Sequence, residues 1–159
     1  MLTDYITPAD IKLNLESTDK EEVFAELTEL LVKKSPGINR SEVLNNLIER
    51  ENKCSTAVFP MVAVPHAVCT SVKETGIVIG ISTQGIEFEP VEASGSLNPI
   101  ANVIFQIVFE KDNTGSHLNI LRDILFVVSK PDFQERILKA QSQQEVYDLL
   151  CAFGEGSLA

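Results

Sequence analysis

Tryptophan is absent from this chain of 159 residues, histidine occurs only twice, and tyrosine twice. No apolar run approaches the roughly 20 residues that span a bilayer. The opening MLTDYITPADI also lacks the basic flank and following apolar stretch of a secretory signal. These shortages predict a soluble, cytoplasmic protein with no direct membrane insertion. Basic residues are scarce as well, with 13 Lys plus Arg against 23 Asp plus Glu and a formal net charge of −10. A field of that sign repels phosphate backbones and anionic headgroups, so nucleic acid is not an expected partner. The cysteines Cys54, Cys69 and Cys151 are odd in number and lack C-x-x-C spacing. They fit neither a disulfide framework nor a zinc knuckle, which points to a reducing compartment. Also missing are G-x-x-x-x-G-K-[ST], G-x-G-x-x-G, G-x-S-x-G and H-E-x-x-H. No cofactor and no metal is therefore expected.

What is present is an ordinary apolar fraction, 44%, in a length suited to one domain that buries its core without disulfides. Thr18 to Glu21 has the spacing of a reciprocal N-terminal cap, and Val23, Phe24, Leu27, Leu30 and Leu31 then recur at helical spacing until Ser35-Pro36-Gly37. Asn39 to Glu42 opens a second helix that buries Val43, Leu44, Leu47 and Ile48 and ends near Arg50-Glu51. Gly76 to Ser82 and Ala101 to Glu110 are β-branched-rich and bounded by turn residues, hence strands, and Val62 to Val64 is a candidate third. Gln84 to Pro99 reads as a loop with room for one short strand. Leu118, Leu121, Ile124, Leu125 and Val128 predict one face of a helix. Phe133, Ile137 and Leu138 follow Pro131 in a shorter helix, and Ser142 to Glu145 caps a last one that Gly154 closes. Strands mixed with several helices predict an α/β layered domain.

Candidate chemistry reduces to the two histidines. His66 lies in VAVPHAV. A histidine in such a run is commonly a hydrogen-bonded structural residue. Yet Pro65 fixes its own φ and keeps Val64 extended, a device that ends a strand and aims the next side chain. His117 follows Thr114-Gly-Ser, with Thr114 or Ser116 as N-cap, which puts its ring in the first turn of a helix. The dipole there favours an anion and disfavours imidazolium, so a neutral His117 beside a phosphate is expected. A neutral imidazole is a nucleophile, and phosphoryl transfer chiefly needs donors around the moving group. Arg50 offers a planar fork, Thr56 a hydroxyl and His117 a ring N–H.

Arg50-Glu-Asn-Lys-Cys-Ser-Thr-Ala-Val-Phe-Pro-Met-Val-Ala-Val-Pro-His66-Ala resembles the site segment of the mannitol/fructose-type enzyme IIA domains, a family that includes nitrogen-regulatory IIA members, of the bacterial phosphoenolpyruvate-dependent sugar phosphotransferase system. Ser116-His-Leu-Asn-Ile-Leu-Arg-Asp-Ile-Leu resembles that family's second histidine and its helix, and Ile137-Leu-Lys-Ala-Gln-Ser-Gln-Gln-Glu-Val-Tyr its closing helices. The likeness extends over nearly the whole chain, including an opening strand at Ile11 to Leu15, and implies a single domain over 1–159. The fold it implies is a three-layer α/β/α sandwich with a mixed β-sheet flanked by helices. The role it implies is a phosphotransferase component in sugar transport. His66 is then the phosphoryl acceptor, taking the group from HPr and passing it to a cysteine of an enzyme IIB. His117 assists, and Arg50 and Thr56 match residues lining the site.

The chain departs from that pattern where fructose-type members carry glycines. Ala57, Phe59 and Met61 stand there instead, implying a different loop path or a bulkier surface. Phe59-Pro60-Met61 is either buried packing or an apolar contact for a partner. An alternative function is a regulatory module of the same fold whose His66 phosphorylation state controls a protein partner. Metal-dependent hydrolysis lacks a third ligand. A Cys69 nucleophile lacks a reason to face His66.

Overall fold

The computed structural model describes residues 1–89 and 99–155. Two short 3-10 turns, Leu2–Tyr5 and Pro8–Asp10, precede β1 (Ile11–Lys12), α1 (Lys20–Lys34) and α2 (Arg40–Lys53). Next come β2 (Met61–Ala63), β3 (His66–Val68), β4 (Gly76–Glu87) and β5 (Ile100–Phe109). Helices α3 (Thr114–Val128), α4 (Phe133–Lys139) and α5 (Gln143–Gly154) complete the described residues.

The strands form one mixed sheet in the order β1-β4-β5-β2. β4 and β5 are antiparallel, β1 runs parallel to β4, and both β2 and β3 run parallel to β5. β2 takes the early part of β5 and β3 the late part, with His66 opposite Ile107 and Val68 opposite Phe109. Alternation along the two long strands makes two cores, because successive side chains point to opposite faces. Ile77, Ile79, Ile81, Val103, Phe105 and Ile107 pack with α3 and α5, whereas Val78, Ile86, Ala101, Ile104 and Val108 pack with α1 and α2. The result is the expected three-layer α/β/α sandwich.

Local differences from the sequence reading have physical causes. At α1 the cap is Asp19, not Thr18: Asp19 has the extended backbone a cap needs and its carboxylate accepts the Glu22 N–H at 2.9 Å, while the Thr18 hydroxyl donates to the Glu22 side chain. α2 runs past Glu51 to Lys53. β4 extends through Glu87 because an irregularity between Ile81 and Ile86, built on Gly85 at φ 86° and the Gly85 N–H to Ser82 Oγ bond, lets Ile86 pair with Ala101. Gln84 to Glu87 is thus strand, for which the loop reading left room, but as a continuation of β4 and not a separate element; residues 90–98 of that stretch lie outside the described residues. α3 starts after Asn113 without a side-chain cap, so neither Thr114 nor Ser116 serves; Ser116 Oγ instead donates to the Asn113 carbonyl. α5 keeps Gly154 as its last helical residue.

The largest correction concerns the α3 face. Ile120, Ile124, Val127 and Val128 enter the core, while Leu118 is 66% and Leu125 44% exposed. The apolar arc of α3 is wider than the face the sheet covers, and its surplus, Leu118 and Leu125, is left exposed.

The segment from Cys54 to Met61 carries the departures from glycine. Of Phe59-Pro60-Met61, Phe59 packs against the core on the α3 side, Met61 is half-buried and Pro60 is exposed, so the burial reading holds for Phe59 and not for Pro60; nearby Ala57 is buried and Val58 exposed. Phe59 to Val62 is a tight turn closed by the Val62 N–H to Phe59 carbonyl bond at 3.0 Å, with Met61 at φ 65° as its third residue. That conformation is the one such turns reserve for glycine. Here a methionine occupies it, with strain supported by its place at the head of β2.

Two carboxylates fasten the helices to the loops beneath them. Glu42 accepts from Thr70 Oγ1 and from the Ser71 N–H and hydroxyl, which hold its carboxyl down at about 2. Burial raises the carboxyl of Glu26, but Lys12 and Ser17 outweigh it and bring it to about 2. Each folded pKa lies below the ordinary 4.5, so this stability is complete above 4.5 and is lost as pH falls from there towards about 2. Urea midpoints should fall across that window, and less steeply in Glu42→Gln. A second test addresses Met61. Glycine is normally worse than alanine inside a strand, but at this φ Met61→Gly should exceed Met61→Ala in unfolding free energy by about 1 kcal/mol. Alanine equal to or above glycine would remove the strain argument.

Candidate functional site

Pro65 sits between two strands that share one edge of β5, and its carbonyl accepts the Ile107 N–H at 2.9 Å. The next residue, His66, is thereby placed at the head of β3 rather than in a loop after a strand end. Its Nδ1 lies 2.8 Å from the Val64 carbonyl oxygen. A carbonyl only accepts, so Nδ1 carries the proton and Nε2 presents a lone pair to the surface. Burial lowers the ring's pKa below 6.5, the positive charge of Arg50 and the neighbouring His117 add to this, and the Val64 carbonyl opposes it. The free ring is held neutral, the nucleophilic form.

Val64 is itself held. Its N–H donates to the Thr56 carbonyl at 3.0 Å. Thr56 in turn donates its N–H at 2.9 Å and its hydroxyl at 2.7 Å to the two carboxylate oxygens of Glu51. Glu51 is only 4% exposed on the last turn of α2. The Thr56 hydroxyl proton is therefore spent on Glu51, and Thr56 reaches His66 through its backbone. Sequence reasoning passed over Glu51, although a carboxylate five positions before a threonine at a helix end was the available signal.

Arg50, one residue away, donates Nη1 to the Cys54 carbonyl at 2.7 Å. His117 enters from α3, with Nε2 3.0 Å from the Glu110 carbonyl oxygen, so Nε2 carries a proton. Arg50, His66 and His117 line one open cleft of about 500 Å³ together with Asn46, Lys53 and Phe109. Arg50, Thr56 and His66 also border a second hollow of about 270 Å³, walled by Val58, Val64, Leu121 and Leu125. The other three residues singled out from the sequence, Arg50, Thr56 and His117, thus share these hollows with the His66 imidazole. Exposed Val68 lines the first cleft, and exposed Val58 and Leu125 wall the second. Cys69 is fully buried and burial pushes its thiol up to about 11, which leaves it unreactive. Among the described residues no three His, Cys, Asp or Glu gather to hold a metal.

Such a site has a neutral, oriented imidazole and flanking cations around space for a tetrahedral anion. The family model described as "Phosphoenolpyruvate-dependent sugar phosphotransferase system, EIIA 2" matches residues 4–152. The mannitol-specific phosphotransferase enzyme IIA component of Halalkalibacterium halodurans is 31% identical over 140 residues, 88% of this chain and 90% of that protein. The fructose-specific EIIABC component of Bacillus subtilis is 27% identical over 94% of this chain, which spans only 23% of that protein's length. Among solved structures, the nitrogen regulatory protein IIA-Ntr from Neisseria meningitidis superposes with TM-score 0.83 at 23% identity, covering 94% of this chain and 98% of that one. The Escherichia coli complex of mannitol enzyme IIA with phosphorylated enzyme IIB gives TM-score 0.76 at 23% identity, covering 92% and 97%. These likenesses fix the fold.

In nitrogen-15 NMR the His66 ring should show an Nδ1-protonated neutral tautomer with a titration midpoint below 6.5. Glu51→Gln, which weakens the hold on Thr56, should mix the two tautomers at His66. An Nε2-protonated ring in the unaltered protein would break the chain of bonds at its last link.

Proposed function

The chain belongs to the EIIA 2 family of the phosphoenolpyruvate-dependent sugar phosphotransferase system, whose members are phosphotransferase components, and from that premise we propose that it is a phosphocarrier charged on His66. The observation that carries the reading is the Nδ1 bond to the Val64 carbonyl, which leaves Nε2 as the attacking atom. As the Nε2 lone pair forms a bond to phosphorus, the bond from phosphorus to the donor breaks and the departing donor atom keeps that electron pair. The ring becomes a phosphoimidazolium whose Nδ1–H stays on Val64. No proton has to move. The carbonyl that fixes the tautomer also stabilises the positive charge the ring acquires, and on discharge Nε2 recovers its lone pair.

Arg50 supplies charge and His117 hydrogen-bonding capacity to the phosphoryl oxygens in the cleft that both line. Thr56 contributes by holding Val64. The donor is HPr and the acceptor a cysteine of an enzyme IIB, both docking over exposed Val58, Val68 and Leu125 beside His66; exposed apolar side chains next to a reactive atom exclude water when a partner covers them. The E. coli enzyme IIA with a related fold is seen with phosphorylated enzyme IIB, which supports the acceptor.

The test is intact-protein mass after mixing with phosphoenolpyruvate, enzyme I and HPr. One acid-labile phosphoryl adduct is expected, absent from His66→Ala and formed roughly 10²-fold more slowly in His117→Ala, the usual cost of removing one charge-stabilising group. An adduct that persists in His66→Ala defeats the assignment. An adduct that forms but does not pass to any enzyme IIB favours the regulatory reading, in which the phosphorylated face controls a different protein.

A further inference from the structure

Phe109 is the last residue of β5 and only 2% exposed, and nothing in the sequence marked it. Its backbone is fixed on two sides: it pairs with Val68, and its carbonyl accepts the Cys69 N–H at 3.0 Å. Its ring stands between the two histidines. The His117 ring stacks on it with centroids 4.0 Å apart and planes 23° apart. The His66 ring meets it edge to face, at 5.9 Å and 71°. Both imidazoles thus take their planes from one buried phenyl group.

The stack does more than hold a plane. With Nε2–H committed to the Glu110 carbonyl, the nitrogen of His117 left for a phosphoryl group is Nδ1. In the neutral ring that atom is a lone pair, which accepts and does not donate. An N–H towards phosphate oxygens requires the imidazolium. Positive charge on a ring lying over an aromatic face within about 6 Å is attracted by that face. The other charged groups on the cleft are Arg50 and Lys53, which oppose a further cation, and Glu49, which favours one; His66 is the remaining titratable group. A phosphoryl dianion on His66 would reverse the balance in the cation's favour.

We infer that Phe109 is a positioning residue for phosphoryl transfer, which sets the plane of His117 and favours the imidazolium that donates Nδ1–H to the phosphoryl group. This rests on the phosphocarrier reading of His66. The experiment therefore begins with the wild type, charged by phosphoenolpyruvate, enzyme I and HPr: if it takes up no phosphoryl group, that reading has failed and not this one. Given a charged wild type, Phe109→Leu should gain the group roughly 3–10-fold more slowly at saturating HPr, the rate equivalent of losing an aromatic contact. Phe109→Tyr, which keeps the aromatic face, should recover most of the rate. Ring nitrogen-15 spectra of the phosphorylated protein should show two N–H groups on His117 in the wild type and in Phe109→Tyr, and one in Phe109→Leu. Equal rates in the leucine variant, or a single ring N–H on His117 in the phosphorylated wild type, overturn the proposal. The second measurement decides the matter even if the leucine variant does not fold.

Discussion

A single backbone carbonyl, that of Val64, decides which nitrogen of His66 faces the cleft. Everything that places this oxygen is therefore part of the site. The Val64 N–H is tied to Thr56, and Thr56 by two bonds to the buried carboxylate of Glu51 at the end of α2. Each bond is of ordinary length, but buried polar groups are costly to leave unpaired, so the series has one satisfied arrangement and many penalised ones. Orientation is transmitted from a helix end to an imidazole without any side chain between Thr56 and His66.

The sheet supplies the frame for that series. β2 and β3 share one edge of β5, so the proline between them keeps the strand direction while His66 takes up its own register against Ile107. Phe109 ends the same strand, and the chain then turns after Glu110 into α3, which returns His117 to the cleft. β5 thus determines the separation of the two histidines. α3 brings more apolar surface than the core absorbs, and part of the surplus, Leu125, walls a hollow beside His66.

Much of this arrangement was legible in the chain. Caps at Asn39 and Ser142, the period of α1 and α2, and the two long strands follow from local propensity and patterning, which require no knowledge of distant neighbours. The placement of His66 behind a proline and of His117 in a first helical turn followed in the same way. That Gln84 to Glu87 continues β4 was hidden because a strand that passes a positive-φ glycine looks like a turn until its partner at Ala101 is known. The glycine-like turn at Met61 was hidden for the opposite reason: its residue type argues against the conformation that the surrounding structure imposes.

By itself the sequence determined the order of the helices and the two long strands and the short roster of groups able to carry phosphoryl chemistry, because these depend on residue type and spacing within one turn or one strand. Tertiary structure decided the rest. Whether Thr56 donates its hydroxyl outward or to Glu51, which imidazole nitrogen is free, which leucines of α3 remain exposed, and that Phe109 lies between the histidines all depend on contacts between residues far apart in the chain. Those contacts are set by strand register and packing, for which a linear pattern holds no local signal.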